Sequence, residues 1–154
     1  MGPDVGYGSV GKSPDVGYGR AVTKVIDKVA WIRIEDGRIL AARSHGKDAY
    51  YLPGGKREPG ETDERTLLRE VAEELTVELD PATVRHAGTW EAQAHGKDAG
   101  VTVRMACYTA DHTGELVPAA EIAEIAWLGH VDRDRVSPAV RMILDDLHAA
   151  GDLR

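Results

Sequence analysis

Two apolar runs at the start of the regular hydrophobic pattern predict a pair of strands. Residues 24–35 are rich in Val, Ile and Trp, and residues 38–44 form a second apolar run. Between them, Glu35-Asp36-Gly37 is typical of a hairpin turn. A further short strand is predicted over residues 49–52, and it ends at Pro53-Gly54-Gly55, where proline and glycine favour a turn.

The next element is predicted to be a helix with one apolar and one acidic face. Thr62 is a candidate N-cap, and acidic residues follow it in the first turn, where the helix dipole favours them. The helix is expected to run to about Leu75. At about 100° per residue, the apolar side chains and the glutamates fall on separate arcs. The apolar arc comprises Leu67, Leu68, Val71, Ala72 and Leu75, and the acidic arc comprises Glu70, Glu73 and Glu74.

Three more strands and a second helix complete the pattern. Strands are predicted over residues 84–93, 101–110 and 122–128. Pro138 stands where a first helical turn tolerates proline, and apolar residues recur at helical spacing from there to near Ala150. The order of elements is sheet, helix, sheet, helix, which indicates a mixed α/β (α+β) domain.

The beginning of the chain lacks this pattern. The hexapeptide Pro-Asp-Val-Gly-Tyr-Gly occurs at residues 3–8 and again at residues 14–19. Two short copies are too few for a repeat fold, which needs about three stacked units. We therefore predict an N-terminal arm over residues 1–21, rich in Gly and Pro, and one folded domain over residues 22–154.

Composition narrows the class of protein. The chain has 154 residues, a net charge of −7 and one cysteine, Cys107, so no internal disulfide can form. No apolar run approaches the roughly 20 residues that a membrane span needs. We predict a cytoplasmic monomer or homodimer without a membrane partner. The acidic balance disfavours a nucleic-acid polymer, which clustered Lys and Arg would bind. An anionic small substrate would therefore need a cation to mediate its binding.

Acidic side chains are concentrated in one segment. Residues 55–77 contain seven acidic and four basic side chains. Glutamates three and four positions apart on a helix repel each other, and one guanidinium, that of Arg69, does not neutralise three of them. A hard divalent cation with oxygen ligands does, and Mg²⁺ is the usual choice where carboxylates share the metal with phosphates. The alternative is a solvated acidic face, which most charged runs form.

The spacing within this segment favours the metal site. The segment reads Gly55, five residues, Glu61, seven residues, and then Arg69-Glu70-Val71-Ala72-Glu73-Glu74-Leu75-Thr76-Val77. It resembles the Nudix box and matches every fixed position except one glycine, which is Thr76 here. The strands before the box, the residues 52–56 that lead into it, and the stretch 121–127 with its terminal helix are also similar to a Nudix domain. The resemblance covers about residues 22–150.

The resemblance implies a fold, a reaction and a metal site. The fold is an α/β/α sandwich with a mixed β-sheet between helices, and the reaction is Mg²⁺-dependent hydrolysis of a nucleoside diphosphate linked to a group X, with Mn²⁺ as a possible substitute. Glu70 and Glu74 would be the principal metal ligands, Glu73 a further ligand or a partner through water, and the Gly54 carbonyl a backbone ligand. Arg69 would orient the carboxylates.

Three further assignments concern the loop, the base and the helix end. Glu61 is expected to support the loop through a salt bridge. A base must take a proton from the attacking water, and Glu73, Glu121 and Glu124 are the candidates, although a solvated strand edge explains the last two equally well. The glycine that Thr76 replaces normally supplies a left-handed helix end, so the helix is expected to end differently here.

The substrate is less well determined. The residues 53–56 are most similar to the MutT-type branch, which hydrolyses oxidised nucleoside triphosphates to monophosphate and pyrophosphate. Arg43, Tyr51 and Lys56 are the candidate substrate-binding residues. Val140 stands where MutT has an asparagine that reads the oxidised purine, which disfavours that kind of base recognition. The alternatives are an ADP-ribose or nucleotide-sugar pyrophosphatase, or a non-catalytic nucleotide sensor on the same fold.

One tetrapeptide occurs twice outside the box. His-Gly-Lys-Asp stands at residues 45–48 and again at residues 95–98, each time in a predicted loop. Glycine and aspartate serve turns for local reasons, so coincidence is one explanation. Phosphate contact by Lys47 or Lys97 is the other.

Overall fold

The computed structural model describes residues 24–154. The predicted arm of residues 1–21, with its repeated hexapeptide, lies outside the described residues. The strands are β1 (Lys24–Trp31), β2 (Ile34–Glu35), β3 (Arg38–Ser44), β4 (Gly54–Gly55), β5 (Glu78–Leu79), β6 (Arg85–Gln93), β7 (Val101–Thr109), β8 (His112–Thr113) and β9 (Ile122–Leu128), and the helices are α1 (Asp63–Leu75) and α2 (Pro138–Ala149). Short 3₁₀ turns span Pro81–Thr83 and His130–Arg135.

The central sheet is mixed, as the α/β/α prediction requires. Its strand order is β4-β1-β7-β6, with β1 parallel to β7 and the other neighbours antiparallel. A second, antiparallel sheet has the order β2-β3-β9. Successive residues of β1 point to opposite faces, so Val29 packs with α1 while Ala30 packs with α2. The sandwich of helices around a mixed sheet is confirmed.

The single strand predicted over residues 24–35 is wrong. It divides into β1, which pairs with β7, and β2, which pairs with β3 across a tight hairpin. Asp36 and Gly37 in that turn both have positive φ, 52° and 75°, as a two-residue hairpin requires. The division depends on β7, a partner distant in sequence. The predicted strand over residues 49–52 is reduced to isolated bridges from Tyr50 and Tyr51.

Helix α1 begins and ends where the sequence predicts. The Thr62 hydroxyl accepts a hydrogen bond from the Arg65 backbone N–H at 3.2 Å. Leu67, Val71 and Leu75 are fully buried against β1, and each contributes about 1.5–3 kcal/mol of burial free energy. Neither helix of the described region is long and apolar enough to span a membrane.

Thr76 contradicts the expectation that the helix ends differently. It adopts the left-handed conformation itself, with φ 67° and ψ 21°. Its backbone N–H donates to the Ala72 carbonyl at 3.1 Å, and its hydroxyl donates to the Val117 carbonyl at 2.8 Å. The Val117 N–H in turn donates to the Leu75 carbonyl at 2.9 Å. These contacts offset the strain of a β-branched residue there, which is about 1–2 kcal/mol.

We expect Thr76→Gly to change the free energy of unfolding by less than about 1 kcal/mol, because relief of strain offsets the lost hydrogen bond. Thr76→Val keeps the strain and loses the hydroxyl, so it should destabilise by about 1 kcal/mol. Urea unfolding of both variants checks this. A Thr76→Val protein as stable as the wild type would show that the hydroxyl contact is not stabilising.

Candidate active site

Strand β4 brings two glycines against the acidic side of α1. It pairs antiparallel with β1, in the register Val29 to Gly55 and Ala30 to Gly54. Gly54 has φ 151°, and a Cβ there would overlap the Val29 carbonyl oxygen. Only glycine permits this approach. The Gly54 N–H then donates to Glu74 Oε1 at 3.1 Å.

A cavity of about 570 Å³ opens beside these glycines. It lies between the start of β1, the loops that flank β3 and β6, and α1. Carboxylates and ammonium groups both line it. The acidic residues are Glu58, Glu70, Glu74 and Glu121, and the basic residues are Lys24, Lys28, Lys47, Lys56, Lys97, Arg69 and His95. A cavity lined by both acidic and basic side chains suits a negatively charged ligand. Such a ligand can bind to the basic side chains directly and to the acidic ones through a cation.

Three carboxylates meet in the cavity: those of Glu70 and Glu74, on α1, and that of the exposed Glu121. Glu74 is only 5% exposed. Its pKa is raised to about 8, chiefly by burial and also by the nearby charges of Glu70 and Glu121, while the Gly54 N–H opposes the shift. Burial likewise raises the pKa of Glu70. Because Glu70 and Glu74 are partly shielded from water and like charges surround them, a bound cation would stabilise them.

Arg69 joins the loop before α1 to the helix itself. Its guanidinium donates two hydrogen bonds to Glu61, at 2.7 and 2.8 Å, one to Glu70 at 3.0 Å and one to the Lys56 carbonyl at 3.2 Å. The salt bridge expected for Glu61 is present, and Arg69 lowers the pKa of Glu61 to about 2. Arg69 therefore holds Glu70 and the loop in fixed positions relative to each other.

The contact between Glu61 and Arg69 predicts that part of the free energy of unfolding is lost in acid. Its pKa is about 2 in the folded protein against an ordinary 4.5, so its stabilisation is complete above pH 4.5 and disappears as the pH falls towards 2. Glu61→Gln should therefore reduce stability at neutral pH, and the difference from wild type should shrink through this window. Denaturant unfolding at several pH values measures it, with the exposed Glu64→Gln as control. If the difference in stability between Glu61→Gln and wild type did not change with pH, the ionised Glu61 carboxylate would not be the stabilising group.

The structure brings some predicted site residues together and separates others. Gly54, Tyr51 and Lys56 line the cavity with Glu70, Glu74 and Arg69. The Glu73 side chain is 55% exposed, lies 3.6 Å from Arg69 and does not line the cavity. The helical arc that carries Glu70 and Glu74 thus leaves Glu73 at its edge, because residues i and i+4 share a face more closely than i and i+3.

Arg43 and Glu124 lie outside the cavity lining. They oppose each other across β3 and β9, with Arg43 Nε 3.0 Å from Glu124 Oε2. The Tyr50 hydroxyl also donates to Glu124, at 2.5 Å. This cross-strand pair satisfies both charges, so the geometry disfavours the expected roles of Arg43 in substrate contact and of Glu124 as base. Glu121, just before β9, is the downstream glutamate that faces Glu74.

Sequence reasoning missed Lys28. Its ammonium lies 5.6 Å from the centre of the Tyr51 ring, and its charge interacts with Glu70 and Glu74. Burial and the nearby Lys56 lower its pKa. The two-residue repeat of a strand could have identified it. Alternate residues of β1, which include Lys24 and Lys28, face the same side of the sheet.

The donor set fits a magnesium-like cation. No group of three or more His, Cys, Asp or Glu side chains among residues 24–154 forms a complete metal cage. Mg²⁺ rarely uses such a cage and binds one or two carboxylates together with water and substrate phosphates. Glu70, Glu74 and the Gly54 carbonyl provide oxygen donors of that kind, and because burial disfavours the ionised forms of both glutamates, a cation bound between them would stabilise those forms.

Comparisons with known proteins agree with this geometry. Residues 26–141 match the family model for the NUDIX domain. The solution structure of the E. coli ORF135 protein is 30% identical in sequence, with a TM-score of 0.61, over 82% of this chain and 93% of that one. A search of curated proteins gave no significant match.

Two more distant structures show the same fold. The MutT NUDIX hydrolase from Burkholderia pseudomallei is 24% identical, with a TM-score of 0.62, over 79% of this chain and 96% of that one. A UDP-X diphosphatase is 17% identical, with a TM-score of 0.56, over 90% of this chain and 68% of that one. The family match extends over most of the sequence and includes the carboxylates of α1. The chain therefore belongs to the Nudix family, and it is a hydrolase that acts on pyrophosphate bonds in derivatives of nucleoside diphosphates.

Proposed function

We propose that this enzyme is a Mg²⁺-dependent pyrophosphohydrolase that converts a nucleoside triphosphate to the monophosphate and pyrophosphate. The observation that carries the proposal is the meeting of Glu70, Glu74 and Glu121 in a cavity that lysines also line. The carboxylates attract the cation, and the cation and the lysines together attract the phosphates.

Glu70, Glu74 and the Gly54 carbonyl would hold the metal, Mg²⁺ or Mn²⁺. The chemistry that such a cation would supply there is neutralisation of phosphate oxygens and a lower pKa for water bound to it. Arg69 fixes Glu70 through the 3.0 Å contact, and the Gly54 N–H fixes Glu74. Lys28 and Lys56 lie beside these carboxylates and donate to phosphate oxygens.

Glu121 is the proposed base for the attacking water. The segment before it is bound to the end of α1, since the Ala119 N–H donates to the Glu74 carbonyl and the Val117 N–H to the Leu75 carbonyl, both at 2.9 Å. The Glu121 carbonyl accepts from the His45 N–H at 2.9 Å. The backbone on both sides of this glutamate is therefore fixed, as a catalytic carboxylate requires.

Substitution of the two downstream glutamates separates their roles. Glu121→Gln is expected to lower kcat by about 10²-fold or more, the usual contribution of a general base. Glu124→Gln, which loses only the contacts with Arg43 and Tyr50, should lower kcat by less than about threefold. Steady-state kinetics with excess Mg²⁺ measure both. The opposite ranking would assign the base to Glu124.

A substrate panel tests the reaction itself. Nucleoside triphosphates, their oxidised forms, ADP-ribose, dinucleoside polyphosphates and nucleotide sugars are incubated with Mg²⁺, and the products are separated by chromatography. We expect monophosphate and pyrophosphate from a triphosphate, and no reaction in excess EDTA. Val140 is fully buried in α2, so no strong preference for oxidised purines is expected through that position. Cleavage of ADP-ribose or nucleotide sugars in preference to every triphosphate would contradict the proposal.

A further inference from the structure

The lysines of this protein are concentrated around the active-site cavity. All five lysines within residues 24–154 line it, whereas Arg69 is the one arginine of that region that does so. None of these ammonium groups forms a salt bridge with a carboxylate among the described residues. In a chain with a net charge of −7, this unpaired positive charge marks a binding surface for an anion.

The lysines fall into two groups. Lys28 interacts with the charges of Glu70, Glu74 and Lys56 and, less strongly, with that of Lys47. Lys28 and Lys56 therefore belong to the site of pyrophosphate hydrolysis, and Lys47 is the member of the second group that lies next to it. Lys24 lies four residues earlier on the same face of β1, about 13 Å away along the strand. Its N–H donates to the Gly100 carbonyl at 3.4 Å, which brings it next to the loop that carries Lys97. A compact pyrophosphate near Glu74 does not extend over this distance.

The two His-Gly-Lys-Asp segments meet at the second group. His95 Nε2 lies 3.0 Å from Asp48 Oδ1, so the first residue of one copy contacts the last residue of the other. Gly46 and Gly96 have nearly the same positive φ, 78° and 75°. The copies therefore share a turn conformation, and both present their lysine to the cavity.

We propose that Lys24, Lys47 and Lys97 form a second anion site, the distal lysine site, that binds a phosphoryl group of the substrate beyond the two phosphates joined by the scissile bond. This inference rests on the proposed function and specifies the group X. It requires X to carry phosphate, either as an extended polyphosphate chain or as a phosphate ester on a sugar. A neutral sugar leaves the distal lysine site without a partner.

The test uses the double variant Lys47→Gln/Lys97→Gln and substrates with a common adenosine. Adenosine 5′-tetraphosphate has an extended chain, ADP-ribose 1″-phosphate has a phosphate ester on its terminal ribose, and ADP-ribose has neither. We expect KM to rise at least about tenfold for one or both phosphate-bearing substrates, and the KM for ADP-ribose to change by less than about twofold. The substrate whose KM rises identifies the source of the phosphate.

A charge-matched control excludes a general electrostatic effect. Arg38→Gln/Arg65→Gln removes the same charge from exposed positions outside the cavity, and it should leave each KM within about twofold. The distal lysine site would be overturned by equal increases in KM for all three substrates, by no increase for any, or by the same increases in the control.

Failure of this inference is distinguishable from failure of the proposed function. Wild-type protein that converts a nucleoside triphosphate to the monophosphate and pyrophosphate, with substrate KM values that the double variant leaves unchanged, keeps the proposed function and overturns the distal lysine site. If the wild type cleaves none of the substrates, calorimetric titration with inorganic tripolyphosphate in EDTA tests the site alone. Binding that the double variant weakens about tenfold supports the site, and equal binding overturns it.

Discussion

Glu74→Gln is expected to lower kcat at least about 10³-fold while the protein remains folded. The glutamine amide has the shape of the carboxyl group, and its oxygen can still accept the Gly54 N–H bond that Glu74 accepts at 3.1 Å. It cannot supply the negative charge that holds a divalent cation. Loss of several kcal/mol of charge stabilisation in the transition state corresponds to a rate loss of about this size.

Two measurements test the prediction for Glu74→Gln. Steady-state turnover with Mg²⁺ gives the rate, and thermal unfolding without metal verifies that the variant is as stable as the wild type. Glu78→Gln, at an exposed position just after α1, removes the same charge and should retain full activity. Substantial turnover by Glu74→Gln at saturating Mg²⁺ would exclude Glu74 as a required metal ligand.

Gly54→Ala and Gly55→Ala are expected to fail in different ways. At Gly54, a Cβ would overlap the Val29 carbonyl oxygen and lie 2.8 Å from the Ala30 Cα, and the φ of 151° is itself unfavourable for alanine. Both obstacles are backbone atoms of a central strand. Gly54→Ala should therefore destabilise by more than about 4 kcal/mol or prevent folding.

At Gly55 the obstacle is a side chain. A Cβ would lie 2.5 Å from the Glu70 Cδ atom, and the Glu70 carboxylate can move away by rotation of its side chain. We expect Gly55→Ala to fold with nearly wild-type stability and to lose about 10²-fold in activity, because a shift of about 1 Å in a catalytic group has that effect. Denaturant unfolding and kinetics of both variants check the pair. A fully active Gly55→Ala, or a stable Gly54→Ala, would contradict the geometry.

Local features of the chain were predictable because short stretches of sequence produce them. The N-cap at Thr62, the buried apolar arc of α1 and the hairpin at Asp36-Gly37 each depend on residues within a few positions of one another. The end of α1 was not predictable in the same way. Thr76 adopts a glycine-like conformation, and a contact that stabilises it there comes from Val117, far along the chain, whose carbonyl accepts the Thr76 hydroxyl bond.

The candidate site likewise has features that the local sequence predicts and features that only the tertiary structure determines. The spacing of Glu61, Arg69, Glu70 and Glu74 is a property of one segment, so the sequence alone identified the family and the acidic helix face. Only the tertiary structure placed Glu121 beside Glu74, paired Glu124 with Arg43, and brought Lys28 into the cavity. These positions depend on β1 pairing with β7 and on the 116–121 segment binding the end of α1. Packing and hydrogen bonding in the folded chain determine which distant segments pair. The local pattern of hydrophobic and polar residues does not contain this information.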